Sequence, residues 1–311
     1  MRGRPSFGLP ARAAFVAAFL ASVAPSHAGQ DGVRDDAEDA ARPLETKNIF
    51  GFTSGTDIGP AQDRELEFET NLAFGKRTGA YAFGSQAATL EVNPTDWVEI
   101  DTGLVGSFHR ISGVEGLDDS RGATLGGVET KFSFVLVHRS PQTPFGVTLS
   151  IEPEWSRVDE SGRAGWSFGA ETRFIVDAEL IPEKLYAAAN LIYAPEFSSA
   201  PEQGRVERTS SLGFAAALAW AFDEPFRFGA KQVVLGAEVG YLRAYDQLTP
   251  ADFLGRALYV GPTAYIHFND KLFLAAAFST QVAGAATGVG RTLDLVNFSR
   301  SRAKMTIGVE F

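Results

Sequence analysis

The last ten residues, 302–311, constrain the fold most, because apolar and polar side chains alternate through them without a break. The apolar positions are Ala303, Met305, Ile307, Val309 and Phe311, and the residues between them are polar, charged or glycine. Successive side chains of a β-strand point to opposite faces. The segment therefore predicts a strand with one apolar face and one wet, partly charged face.

This segment resembles the terminal strand of bacterial outer-membrane β-barrels, which also ends in Phe and carries apolar residues at alternate positions. The resemblance implies that Phe311 is an assembly signal, read by the barrel-assembly machinery. It also implies that the protein lies in outer-membrane lipid of a Gram-negative cell, in the porin-like class, although no specific characterised family is matched.

The other end of the chain agrees with export. Arg2, Arg4 and Arg12 precede a short apolar stretch at 13–24, and Ser26 and Ala28 supply small residues at a cleavage site. This pattern predicts a cleavable signal peptide at 1–28, which is too short and wrongly flanked for a spanning helix.

Composition excludes several classes of protein. The chain has no cysteine, so disulfides and thiolate metal sites are impossible. No later segment offers about 18 uninterrupted apolar residues, which excludes helical spans. A net charge of −10 argues against nucleic acid as a partner, because phosphate binding needs Lys and Arg. No glycine-rich phosphate loop is present, and we predict no cofactor and no metal.

Residues 29–62 follow the signal peptide and are crowded with Asp and Glu near their start. A segment so charged and so poor in apolar residues predicts a flexible periplasmic leader. The run 48–52, Asn-Ile-Phe-Gly-Phe, is an isolated apolar patch within it. We predict that this patch docks on the rim of the barrel or in its mouth.

From residue 63 to 311 the sequence has a period of two, which favours strands over helices. Twelve such segments are separated by breaks that alternate between compact and mostly longer. The compact breaks lie near 93–96, 138–143, 178–182, 223–230 and 269–270, and the prominent long ones at 111–123, 195–209, 243–256 and 283–301. Short periplasmic turns, longer outer loops and an even strand number are typical of outer-membrane barrels. The fold predicted is all-β: a closed antiparallel transmembrane barrel of twelve strands in meander order. A soluble sandwich would also alternate, but its solvated face usually carries many Lys, which are scarce here.

If the apolar face meets lipid, the charged face lines the lumen. The predicted lumen-lining residues are Glu65, Glu67, Glu69, Glu99, Asp101, Glu129, Lys131, Glu152, Glu154, Glu171, Arg173, Glu238, Arg302 and Lys304. Carboxylates arranged in this way favour a water-filled, cation-preferring channel. The alternative is a plugged barrel in which acidic and basic side chains pair as filler. Closure of the last strand on the first predicts that Arg302, through a bidentate contact, or Lys304 neutralises the run of glutamates at 65–69.

The function predicted is passage of a small solute, passive or selective. The alternative is a structural or surface-interaction barrel with a plugged lumen and partner-binding outer loops. An outer-membrane lipid hydrolase comes third. Ser107, His109 and Ser112 lie near one end of the third strand, but no residue that would orient the histidine can be named, so we predict no catalytic residues. Glu115, Asp118 and Asp119 are interpreted as a solvated acidic loop rather than a cation site.

Overall fold

A computed structural model describes residues 44–140, 142–158, 160–162, 164–199, 206–222 and 229–311. The predicted signal peptide and the first part of the predicted leader, 29–43, lie outside the described residues.

Twelve antiparallel strands form one closed barrel, as the sequence predicts. They are β1 (Arg64–Phe74), β2 (Ala80–Thr95), β3 (Val98–Ser112), β4 (Ser120–Val137), β5 (Phe145–Val158), β6 (Ala164–Ile181), β7 (Leu185–Ser199), β8 (Glu207–Phe222), β9 (Gln232–Tyr245), β10 (Phe253–Asn269), β11 (Leu272–Ala286) and β12 (Ser301–Glu310). Each strand pairs with its neighbours in sequence, and β1 pairs with β12 to close the meander. A closed barrel leaves no unpaired sheet edge, which is the condition for a sheet to cross lipid.

Both β1 and β12 reach the same end of the barrel, where Phe311 N donates a hydrogen bond to Arg64 O at 3.2 Å. The connections at 96–97, 182–184 and 270–271 lie at this end, which we call the short-turn end. The other end carries the longer connections and is called the long-loop end.

The strands extend further into the long-loop end than the sequence predicts. The predicted loops at 111–123 and 283–301 contract to 113–119 and 287–300, because β3, β4 and β11 continue their backbone pairing. A barrel needs only about 9–11 residues per strand to cross the hydrocarbon. The extra length forms a rim, where both faces of a strand meet water and the apolar alternation used for prediction fades.

Side chains alternate between the outside and the lumen along every strand. Large apolar residues face outward at mid-barrel, including Leu104 (58% exposed), Leu191 (58%) and Phe214 (47%). Inward positions hold carboxylates such as Glu99 (1% exposed) and Asp101 (4%), together with many small residues. The apolar outer surface is the one that meets lipid in a transmembrane barrel.

Residues 44–62 belong to the predicted flexible leader, in which we expected only the apolar patch at 48–52 to dock on the rim of the barrel or in its mouth. Within this stretch, residues 44–58 fold into the lumen at the short-turn end, and we call them the plug. Ile49 and Phe50 are fully buried there. The plug holds a compact shape through a hydrogen bond from Gly55 N to Lys47 O at 3.3 Å. The plug is ordered by its contacts with the barrel wall, and the composition of the segment alone does not predict these contacts.

The lipid-facing side of β8 can be tested with a matched pair of variants. Phe214→Arg places a charge at mid-barrel on the outer face, and we expect it to lower the free energy of unfolding by roughly 2–4 kcal/mol. Ser211→Arg on the same strand faces the cavity inside the barrel and should be much milder. Unfolding in urea from lipid vesicles measures both. Equal losses from the two variants would contradict the assigned faces.

Candidate functional site

The plug is anchored to the wall by an apolar contact at the short-turn end. Ile49 and Phe50 pack in a buried cluster that the wall lines with small and aromatic side chains: Tyr186, Ala188, Ala217, Ala219, Ala221, Val234, Tyr265, Phe273 and Ala275. The alanines leave the space that the plug fills. Gly51 sits at a φ of +90°, and a Cβ there would lie 2.3 Å from Ala277 Cβ, so the turn of the plug requires glycine.

Polar wall residues satisfy the backbone of the plug tip. Glu238 Oε2 accepts hydrogen bonds from the backbone N–H groups of Phe52 (3.1 Å) and Thr53 (3.0 Å). Asn190 accepts from Ser54 N at 2.7 Å and donates to Ser54 O at 2.8 Å. These contacts replace the water that an isolated loop would bind, and backbone groups buried without partners would destabilise it.

A second polar anchor joins the plug to the short-turn end. Arg139 forms ion pairs with Asp57 of the plug and, at 3.1 Å, with Asp177 of β6. Asp177 also accepts hydrogen bonds from the backbone N–H (2.9 Å) and hydroxyl (2.7 Å) of Thr56. The carboxylate of Asp177 thus binds Thr56 of the plug directly and also binds Arg139, which links the turn at the short-turn end to Asp57 of the plug.

Lys47 carries the most heavily coordinated charge of the plug. Its ammonium lies 3.0 Å from Glu99, 3.8 Å from Asp101 and 3.9 Å from Glu67, and it also pairs with Glu91. Burial disfavours the charge of Lys47, but the carboxylates, led by Asp101 and Glu91, outweigh this and raise its pKa well above the usual value. The ammonium is therefore firmly protonated in its site.

Between the plug and the long-loop end lies a cavity of about 800 Å³. Its described lining contains eleven carboxylates and five cationic side chains. The loop at 287–300 lines part of the far side through Asn297, Phe298 and Ser299, and a hydrogen bond from Gln281 Nε2 to Asp294 O at 3.0 Å holds it there. We call this space, which the plug bounds on the side of the short-turn end, the chamber.

Three glutamates stand out among the carboxylates of this chamber. Glu129, Glu152 and Glu154 form no ion pair with any described residue, whereas the neighbouring Glu171 pairs with Arg173 at 2.5 Å. Glu129 and Glu154 face each other in register on β4 and β5. Like charges placed directly opposite in a sheet repel, and no cationic side chain in the described part of the chain forms an ion pair with these three carboxyl groups.

Where β12 closes on β1, the predicted pairing with the glutamates at 65–69 is confirmed for Lys304 and wrong for Arg302. Lys304 Nζ contacts Glu69 at 2.7 Å. Arg302 lies opposite Ala73, further toward the long-loop end, and its guanidinium instead stacks 4.5 Å from the Phe52 ring and 4.1 Å from the Tyr259 ring. The register of β1 and β12 carries Arg302 past the glutamates and into contact with the plug tip.

Twelve of the residues predicted to line the lumen border the cavity: Glu67, Glu69, Glu99, Asp101, Glu129, Lys131, Glu152, Glu154, Glu171, Arg173, Arg302 and Lys304. Glu65 is buried beside Gly308 of β12, and Glu238 binds the plug. Sequence reasoning missed Lys47, Arg139, Asp177 and Asn190. Asp177 shares the inward parity of Glu171 and Arg173, which is a signal that could have found it.

The histidine near the end of β3 has a hydrogen-bond partner, but no acid orients it among the described residues. His109 Nε2 lies 2.8 Å from the hydroxyl of Ser120 on β4. Its Nδ1 is buried and has no hydrogen-bond partner among the described residues. A serine nucleophile needs a base that a third group holds in place, and here that group is missing from the described part of the chain. In the nearby loop, Asp119 accepts a hydrogen bond from Gly113 N at 2.7 Å, which is a local turn contact.

Comparison with known proteins gives a family and a fold. Residues 43–311 match the profile of a family described as "Family of unknown function (DUF6662)". No curated protein sequence matches the chain.

Among solved structures, the fold is similar to that of the COG4313 outer membrane channel from Pseudomonas putida F1, with a TM-score of 0.50 and 12% identity over 82% of this chain and 98% of that one. The KdgM porin, solved with disordered oligogalacturonate, has a TM-score of 0.41 and 8% identity over 79% and 99%. The NanC porin has a TM-score of 0.45 and 8% identity over 79% and 100%. The fold is that of a porin-like outer-membrane β-barrel.

Docking of the plug should depend on pH through Glu45. Burial, with a contribution from the carboxylate of Glu310, raises the pKa of Glu45 from 4.5 to about 7. The docked plug therefore binds more protons than the free plug between these values, so docking is strongest below pH 4.5 and weakens as the pH rises through about 7. The labelling rate of Ile49→Cys by a water-soluble maleimide, normalised to the denatured protein, measures undocking and should rise over this range.

Glu45→Gln in the same cysteine background provides the control, because the amide does not titrate. Its normalised labelling rate should change much less over this pH range. An equally steep profile in both proteins would assign the pH dependence to another group.

Proposed function

The chain belongs to this family of unknown function, so its role has to come from the geometry of the lumen, and we propose an outer-membrane channel for small cationic solutes that is gated by the plug. One observation carries the proposal: the described lining of the chamber has eleven carboxylates against five cationic side chains. A confined ring of carboxylates attracts cations and repels anions.

The size of the chamber supports a small solute. Its volume of about 800 Å³ lies within the usual range of roughly 300–1,000 Å³ for small-molecule sites. Glu129, Glu152 and Glu154 form no ion pair with a described residue, so an entering cation can contact carboxyl groups that the protein does not already pair. The guanidinium groups of Arg173 and Arg302 lie toward the plug tip, where both contact it.

The anchoring of the plug supports a gate rather than permanent filler. Apart from Ile49 and Phe50, its contacts with the wall are mainly hydrogen bonds and ion pairs, and water can replace these when the plug leaves. The plug is joined to β1 through residues 59–63, so an undocked plug stays close to the lumen. Docked and undocked states are two populations whose balance a solute, pH or ions can shift.

The alternative, a barrel whose outer loops bind a partner, has less support. The longest connection at the long-loop end, 287–300, packs partly back into the barrel, although Arg291, Thr292 and Val296 stay exposed. Asp294 is fully buried and Leu295 is 9% exposed.

A reversible cross-link tests the gate. The chain has no native cysteine, and a Cβ built on Gly146 lies 2.9 Å from Thr56 Cβ, about 1 Å closer than the ~3.8 Å mean of a disulfide. In Thr56→Cys/Gly146→Cys, oxidation should hold the plug in the lumen and lower K⁺ flux into vesicles severalfold, and reduction should restore it. Each single variant is the control. Equal flux before and after reduction of the double variant would argue against gating by the plug.

Selectivity tests the acidic chamber. Replacing Glu129, Glu152 and Glu154 together by Gln should lower the K⁺/Cl⁻ permeability ratio about three- to tenfold, since roughly 0.6–1.4 kcal/mol of cation stabilisation is lost. The matched control, Glu115→Gln/Asp118→Asn/Asp119→Asn, removes the same charge from an outer loop and should change the ratio much less. Reversal potentials in a planar bilayer under a KCl gradient give the ratio. An unchanged ratio in the first variant would refute cation selection by these residues.

A further inference from the structure

The site of Lys47 has the composition of a metal site. Its four carboxylates come from three adjacent strands: Glu67 from β1, Glu91 from β2, and Glu99 and Asp101 from β3. All four are buried, with exposures of 8%, 4%, 1% and 4%. We call this set the carboxylate cage. Among the described residues, two ammonium groups contact these four carboxylates: Lys47 of the plug contacts all four, and Lys131 of β4 contacts Glu99 and Asp101.

The spacing of the cage oxygens suits an ion. One carboxylate oxygen each from Glu91, Glu99 and Asp101 lie within 4.8 Å of one another, and the same holds for Glu65, Glu67 and Glu91. Oxygens that share a bound Ca²⁺ lie about 2.3–2.6 Å from it. Such oxygens are at most about 5 Å apart, so each triad is already close to the spacing that one ion requires.

Unpartnered oxygens provide independent support for a ligand. Asn93 is 1% exposed, and its Nδ2 donates a hydrogen bond to Glu91 at 3.2 Å, which places the amide beside the cage. Its carbonyl Oδ1 accepts no hydrogen bond from any described residue, and the same holds for the buried Asp101 Oδ1 and Glu65 Oε1. Buried oxygens of this kind usually have a partner. Asp101 Oδ1 is thus a cage oxygen without a hydrogen bond in the described part of the chain, and Glu65, which lies beside Glu67 and Glu91, and Asn93 each add one more oxygen next to the cage.

We propose that the carboxylate cage is a binding site for a divalent cation of the Ca²⁺ type. While the plug is docked, the ammonium group of Lys47 occupies this site. The cation and the ammonium then compete for the same oxygens, so that binding of the cation favours the undocked plug. The site does not depend on solute passage, but its effect on the plug rests on the proposed gating. Four carboxylates and an amide carbonyl can supply the six to eight oxygens that Ca²⁺ takes, whereas Mg²⁺ demands a tighter octahedron and retains its water.

Lys47→Met removes the competitor that the plug supplies, leaves Lys131 of the wall in place, and tests the site directly. Full-length protein in detergent should bind ⁴⁵Ca²⁺ at least tenfold more tightly than the wild type in equilibrium dialysis, and more tightly than Mg²⁺. Lys231→Met is the matched control, because Lys231 pairs with the exposed Asp270 on the connections next to β9 and β10, whereas the cage lies on β1–β3, and it should bind as the wild type does. Adding Glu99→Gln to Lys47→Met should abolish the gain. A gain that is absent, or that survives Glu99→Gln, overturns the site.

A second measurement keeps the test valid if Lys47→Met fails to fold. In the otherwise native chain, Ca²⁺ should raise the labelling rate of Ile49→Cys severalfold, and Mg²⁺ at the same concentration should raise it less. Ca²⁺ binding without any change in labelling would overturn the coupling to the plug while leaving the site. Neither readout measures flux, so failure of the proposed channel function would appear separately, in the vesicle and bilayer experiments.

Discussion

A closed lumen lined with carboxylates has to be neutralised from within, and this requirement shapes the rest of the structure. The barrel closes because lipid leaves no partner for an open sheet edge. Closure then forces every second side chain into a narrow space, where buried charges need partners. Lys47 brings a counter-charge from outside the sheet, Lys131 and Lys304 provide it from the wall, and the chamber keeps its unpaired glutamates where there is room for water.

The plug follows from the same constraint and from the size of the barrel. Twelve strands enclose more space than eight, whose side chains alone fill the interior, and less than the 16–18 of open porins. Inward alanines on β8, such as Ala217, Ala219 and Ala221, widen the short-turn end further, and Ile49 and Phe50 occupy the space that they leave. Wall and plug are therefore complementary in shape as well as in charge.

Sequence patterns predicted the barrel because the features that define it are local. The alternation of apolar and polar residues identifies each strand, and the lengths of the turns indicate that neighbouring strands pair in sequence order. The contacts of the plug depend on tertiary placement instead. The run 48–52 was recognised as an apolar patch with a docking role, but its partners, such as Glu238 and Thr263, are more than 180 positions away. Arg302 shows a second limit, because its partners depend on the register of two strands at opposite ends of the chain.

The long separation between plug and wall has a consequence for the order of folding. The plug precedes every strand in the chain, yet its hydrogen bonds reach Asp177, Asn190, Glu238 and Thr263 on β6, β7, β9 and β10. Contacts so distant in sequence form late. They exist together only when the sheet has curled far enough to bring these strands around one axis. The plug therefore reports that the barrel is complete, because it gains its full set of hydrogen-bond partners only after the sheet has closed.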